Sequence, residues 1–175
     1  MTKMIFFDGE MTSLDPFNGS IISVGAALYD EQTWEELDSF YAEYAPDPNL
    51  WIDPESMKYN KMDIDSLMKN KTFTQDKFKF YSWMDAHFPG QQINISNWSL
   101  SFDLIFLFVE AQRSGNFIPL FSKRSYDVKA MALGSKIKFR NMPDLNKKLG
   151  GGEYQMHNAL ADARTAAFIY QKLTQ

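Results

Sequence analysis

At 175 residues, 45% hydrophobic and 15% aromatic, the chain has the size of one ordinary domain and enough apolar side chain to bury a core. It contains no cysteine, which excludes disulfides, thiolate nucleophiles and cysteine-held zinc, so any metal must be held by carboxylates and histidine. The net charge of −4 is uneven: residues 1–60 carry Lys3 and Lys58 against twelve Asp and Glu, whereas residues 121–150 carry eight Lys and Arg against Asp127 and Asp144 alone. An acidic half suited to cations is thus joined to a basic segment that fits either a polyanion or an ordinary solvated surface. The N-terminus has no charged region leading into an apolar core, and no apolar run reaches membrane-spanning length. A soluble, cytoplasmic protein without membrane contact is the expectation.

The first element is an apolar strand, Ile5-Phe6-Phe7, that runs into Asp8-Gly9-Glu10 and a turn at Asp15-Pro16. Strand alternation sends Asp8 and Glu10 from the same face. Two carboxylates so placed repel each other unless a cation lies between them, and their oxygens suit a hard ion such as Mg²⁺ or Mn²⁺. Two other readings fit this stretch: a solvated strand end followed by a turn, or a phosphatase in which Asp8 is the nucleophile. Against the phosphatase, Glu10 stands where a second Asp is required, no Gly-Thr pair closes the turn, and no lysine precedes a paired-Asp strand end later in the chain.

Ile21 to Tyr29 reads as a second strand, Asp30 to Thr33 as a hairpin turn, and Leu37 to Tyr44 as a third strand antiparallel to the second. The three form a meander. Pro46-Asp47-Pro48-Asn49 breaks the pattern, and short helical turns carry Trp51 and Tyr59 as core plugs up to Met68. A helix is expected from Thr74 with Phe78, Tyr81, Met84 and Phe88 on one face, stopped by Pro89-Gly90. His87 near its end has no acidic cluster at ligand spacing and is read as structural.

Ile93, Ile95 and Asn97-Trp98 suggest a buried fourth strand, followed by a helix from Phe102 to Gln112 with Ser101 as N-cap. Asp103 then falls in the first turn, where the helix dipole favours a carboxylate. Ser125-Tyr126-Asp127 is expected to cap a helix running through Leu133 to Gly134. A further short helix spans Pro143 to Leu149 and leads into Gly150-Gly151-Gly152, read as a flexible hinge. The last element is a helix from Ala159 to Leu173. On a continuous helix His157 and Asp162 would lie about 140° apart. With Asn158 as N-cap, Asp162 stays in the opening turns while His157 leans from the preceding loop over the same cleft.

The order Asp8, Glu10, Asp103, His157, Asp162 resembles the DEDDh family of 3′-to-5′ exonucleases. Asp8 to Pro16 is similar to the D-x-E-M-T-G-L-D-P opening of oligoribonuclease, with Ser13 in place of Gly. Gly19 to Ala26 resembles the strand that follows in phage and bacterial relatives. His157-Asn158-Ala159-Leu160-Ala161-Asp162 matches the family's H-x-A-x-x-D signature. The middle motif keeps Phe102-Asp103 but has Ser99 where Asn is usual, four residues before the Asp.

The resemblance covers nearly the whole chain and implies an α/β, RNase H-like fold over residues 1–175 as one domain, with a mixed central sheet that includes the antiparallel meander and is flanked by helices. It implies hydrolysis of phosphodiesters at a free 3′ end of single-stranded nucleic acid or an overhang, with release of 5′-mononucleotides. Two Mg²⁺ or Mn²⁺ ions would act together. Asp8 would bridge both, Glu10 and Asp162 would hold the ion at the attacking water, and Asp103 would help organise the cluster. His157 would take the proton from that water, its pKa raised by the neighbouring carboxylates. Thr12 would meet the 3′-hydroxyl through its backbone or side chain, Leu14 would wedge between the last two bases, and Trp98 or Phe102 would stack. A homodimer is expected by analogy. The alternative in another class is a catalytically silent nucleic-acid-binding domain of the same fold.

Overall fold

The computed structural model describes residues 2–70, 77–115, 121–153 and 157–175. The opening strand β1 (Lys3–Met11) is the middle of a five-stranded sheet. On one side it pairs antiparallel with β2 (Ile21–Asp30), which pairs antiparallel with β3 (Glu36–Glu43). On the other side it pairs parallel with β4 (Ile95–Asn97), which pairs parallel with β5 (Tyr126–Asp127). The sheet is therefore mixed, with the expected meander as its antiparallel half. The sequence shows Tyr126-Asp127 only as part of a helix cap, because two residues are too short to show a strand period.

Alternation along β1 sorts its side chains between two cores. Ile5, Phe7 and Met11 pack with Val24, Ala26 and Leu28 against Phe80, Met84, Phe106 and Leu107. Met4 and Phe6 pack on the other face with Val128, Leu145, Ala166 and Ile169. Each such side chain removed from water contributes roughly 1.5–3 kcal/mol, which explains why both parities of β1 are apolar until Asp8. Asp8 and Glu10 continue the Met4–Phe6 parity and so point to the second face.

Seven helices among the described residues complete the layers: α1 (Pro54–Asn60), α2 (Ile64–Asn70), α3 (Lys77–His87), α4 (Leu100–Arg113), α5 (Val128–Gly134), α6 (Met142–Lys148) and α7 (Ala159–Thr174). The expected helix start at Thr74 and the side chain of Phe78 lie outside the described residues. α4 begins two residues before the expected Phe102. Its N-cap is Ser99 rather than Ser101, and Ser99 supplies no side-chain cap. Asp127 takes over: one carboxylate oxygen accepts from Leu100 N at 3.1 Å while the other accepts from Ala130 N at 2.7 Å, so one side chain caps both α4 and α5.

Two further expectations are corrected. Trp51 and Tyr59 are not core plugs, since they are 56% and 68% exposed. The Gly150-Gly151-Gly152 run is held rather than hinged: Gly151 N donates to Asn146 O at 2.9 Å, and Asn146 Nδ2 donates to Gly152 O at 3.1 Å. His87 is structural as expected, its Nε2 2.8 Å from Asp38 Oδ2 and its ring edge-on to Trp83. No helix among the described residues is long and apolar enough to cross a membrane.

Candidate metal centre and cleft

The parallel strands β1, β4 and β5 all end at one edge of the sheet, with Asp8, Gly9 and Glu10, Asn97 and Asp127 at their ends. Open α/β sheets place ligands in the crevice outside the carboxyl ends of their parallel strands. α7 packs across β1 and β2. Asn158 is its N-cap, as expected, with Oδ1 accepting from Ala161 N at 3.0 Å. This cap turns the chain so that Asp162, in the first turns of α7, meets β1.

Asp8, Glu10 and Asp162 each offer a carboxylate oxygen, and these atoms all lie within 4.8 Å of one another. Burial, followed by the like charges of Asp103, Asp162 and Glu10, holds the Asp8 carboxyl well above its ordinary range. Burial and Asp162 push Glu10 up to about 8. Three carboxylate oxygens crowded in this way are the hard-ligand set that a divalent ion of the Mg²⁺ or Mn²⁺ type fits.

Asp103 adjoins this group and is the first of the like charges acting on Asp8. One of its oxygens accepts from Gly9 N at 3.2 Å, and the other accepts from Asn97 Nδ2. Burial raises the Asp103 carboxyl despite the opposing hydrogen bond from Gly9. Asn97, at the end of β4, was not singled out in the sequence. Its side chain also accepts from Trp98 N, so it orients Asp103 and the start of α4 together.

The carboxylates form the floor of a cleft of about 760 Å³. His157 lines it, with backbone φ of 62° just before the α7 cap. The neighbouring carboxylates do not raise its pKa as expected. Burial, then the cation of Lys61, holds the imidazole below its usual value. Leu14 lines the mouth and is 77% exposed, while Trp98 and Phe102 line the wall.

Thr12 does not take the place expected of it. It is fully buried: its hydroxyl donates to Trp51 O at 2.9 Å and accepts from Ser20 N at 2.9 Å, and its carbonyl accepts from Asp53 N. It braces the β1–β2 connection and shows nothing to the cleft.

The lining carries both signs of charge. α1 and its cap contribute Asp53 and Glu55, whereas Lys129 and Arg140 contribute two cations from the basic segment. Phe139 sits beside them, edge-on to Trp98 with ring centres 5.9 Å apart. Tyr59 on α1 completes the lining. The sequence carries no signal for it, because an exposed aromatic and a core aromatic look alike in one chain.

A family model described as Exonuclease matches residues 5–170. No curated protein sequence matches the chain. Among solved structures, the chain is similar to the nuclease domain of 3′hExo, a DEDDh family member bound to rAMP, with a TM-score of 0.79 and 20% identity over 99% of this chain and 92% of that one. It is similar to cell-death related nuclease 4, with a TM-score of 0.76 and 15% identity over 98% of this chain and 63% of that one. It is also similar to exonuclease I of E. coli, solved with single-stranded DNA and zinc ion, with a TM-score of 0.79 and 15% identity over 99% of this chain and 40% of that one. At these identities the likeness is one of fold.

Proposed function

The chain belongs to the RNase T exonuclease family, among the DEDDh exonucleases, and from that premise we propose that it hydrolyses single-stranded nucleic acid or 3′ overhangs from the 3′ end, releasing 5′-mononucleotides. Residues 1–175 act as one catalytic domain in this reading. The observation that carries it is the meeting of Asp8, Glu10 and Asp162 within 4.8 Å on the floor of a cleft that His157 also lines.

When bound, divalent cations supply charge neutralisation for the phosphodiester and acidify the attacking water. Asp8, Glu10 and Asp162 would hold them, with Asp103 keeping the end of β1 in place through Gly9 N. His157 accepts the proton from the water; an imidazole held below its usual pKa is in the neutral, accepting form at pH 7. Leu14 stands where the terminal bases would enter, and Trp98 and Phe102 offer ring faces to them. Lys129 and Arg140, two cations of the cleft lining, would take the phosphates of the strand.

The test is a product-resolved digestion of 5′-labelled and 3′-labelled single-stranded RNA, single-stranded DNA and overhang duplexes with Mg²⁺ or Mn²⁺. The expected result is stepwise loss of 5′-mononucleotides from the 3′ end, abolished in Asp8→Ala. Binding without product would assign a silent nucleic-acid-binding domain instead. A stable phosphoaspartate at Asp8 would assign a phosphatase.

A further inference from the structure

We infer that Tyr59 is a positioning residue that holds the His157 imidazole toward the carboxylate floor; the inference rests on the reading of His157 as the general base. The two rings meet edge to face, with centres 4.6 Å apart and planes at 74°, the arrangement that the quadrupoles of aromatic rings favour. Tyr59 is 68% exposed, so core packing does not explain its place.

What gives the contact its force is the way α1 is fixed. At its start, Asp53 N donates to Thr12 O at 2.8 Å. At its end, the buried Asn60 Nδ2 donates to Met11 O at 2.7 Å. Both acceptors belong to the end of β1 or the residue after it, immediately beyond Glu10. The helix that carries Tyr59 is therefore registered to the strand that carries two of the three clustered carboxylates.

His157 sits at a left-handed backbone position, φ 62°, directly before the Asn158 cap of α7. Left-handed backbone costs a non-glycine residue conformational energy and persists where surrounding structure fixes it. The cap fixes the backbone on the α7 side, and Tyr59 braces the ring from a second element tied to β1. The imidazole is thus held, through α1 as well as through α7, at the cleft that Asp8 and Glu10 also line.

The experiment uses the full chain in three variants, Tyr59→Ala, Tyr59→Phe and His157→Ala. Tyr59→Ala is expected to lower kcat roughly tenfold with KM nearly unchanged, because a misaimed base affects the reacting geometry rather than binding. Tyr59→Phe keeps the ring and is expected to restore kcat. The chain has two histidines, His87 and His157, so their imidazole proton resonances can be assigned with His157→Ala. Tyr59→Ala should shift the His157 signals, through loss of the ring current, and leave those of His87 in place.

Unmoved His157 signals would overturn the inference whatever the activity. A rise in KM at constant kcat would make Tyr59 a substrate contact and would also overturn it. If His157→Ala abolishes hydrolysis while Tyr59→Ala keeps wild-type kcat, the inference alone fails. If His157→Ala hydrolyses normally, the reading of His157 as base fails, and the positioning role with it.

Discussion

Gly25 and Leu160 touch without a side chain between them: a Cβ placed on Gly25 would stand 2.0 Å from the backbone nitrogen of Leu160. Gly25 is paired across the sheet with Asp8, so this close approach of α7 to β2 lies beside the first carboxylate of the cluster. Backbone meets backbone there, and only a residue with no Cβ allows it.

Gly25→Ala should therefore push the start of α7 away from the sheet and part Asp162 from Asp8. The expected cost is about 2–3 kcal/mol of stability, together with a loss of activity of at least about a hundredfold from displacement of the reacting geometry. Urea denaturation and steady-state kinetics measure the two effects. Activity within twofold of wild type would show that the close approach does not set the carboxylate spacing.

Without divalent ions, stability should fall as pH rises. Asp8 and Asp103 hold protons to higher pH in the folded chain than in the unfolded one, and Glu10 does so to about 8 against 4.5. Between those values the folded chain binds more protons, so this stability is fully present below the unfolded values and is lost as pH climbs through the folded ones. The melting temperature in EDTA should drop from about pH 5 to about pH 9, and Mg²⁺ or Mn²⁺ should reverse the drop. Asp8→Asn should stabilise the ion-free protein near pH 8 by about 1–2 kcal/mol while abolishing activity. A melting temperature that climbs with pH in EDTA would contradict the argument.

Lys61 should tune the acid limb of the rate profile. It stands near His157 and helps burial to hold the imidazole below its usual pKa. Its own φ of 57° is left-handed, and Asn tolerates that conformation, so Lys61→Asn removes the charge with little strain. Loss of the cation lets His157 keep its proton to higher pH. Activity at pH 6 relative to pH 8 should fall by roughly threefold. An unchanged acid limb would place the titrating group elsewhere.

Lys129 and Arg140 should bind phosphates without reading sequence. Each alanine variant, made in the inactive Asp8→Asn background, should weaken single-strand binding to a similar degree for all sequences. Each should also reduce the slope of log K against log salt by about 0.7. Fluorescence anisotropy over a salt series gives both numbers. A slope equal to that of the parent would take these two cations out of the strand's path.

Arg113 should matter to the mouth of the cleft from outside it. Its guanidinium donates to the carbonyls of Pro16, Phe17 and Gly19, in the loop that follows the exposed Leu14. Arg113→Ala should cost about 1–3 kcal/mol of stability and raise KM more than it lowers kcat. Unfolding curves and kinetics on a short oligonucleotide would reveal it.

Much of this architecture could be read along the chain, and the exceptions share a cause. The apolar run before Asp8, the alternation that aligns Asp8 with Glu10, and the cap at Asn158 are local patterns written within a few residues. Thr12 was misplaced because its orientation depends on Trp51, far along the chain, and on Ser20 across the loop. Asp103 was expected to help organise the cluster, but no local pattern shows that Gly9 N and Asn97 Nδ2 each donate to one of its oxygens. Asp127 was seen as the cap of α5, whereas its second oxygen also starts α4.

By itself the sequence determined on which elements Asp8, Glu10, Asp103 and Asp162 ride, since strand and helix periods are local properties of the backbone. Tertiary structure alone decided how close Asp8, Glu10 and Asp162 come, that Gly9 and Asn97 hold Asp103, and that Tyr59 meets His157. The reason is geometric: distances between carboxylates on different elements are set by how closely α7 can approach the sheet at Gly25, and no local pattern encodes a contact between backbones 135 residues apart.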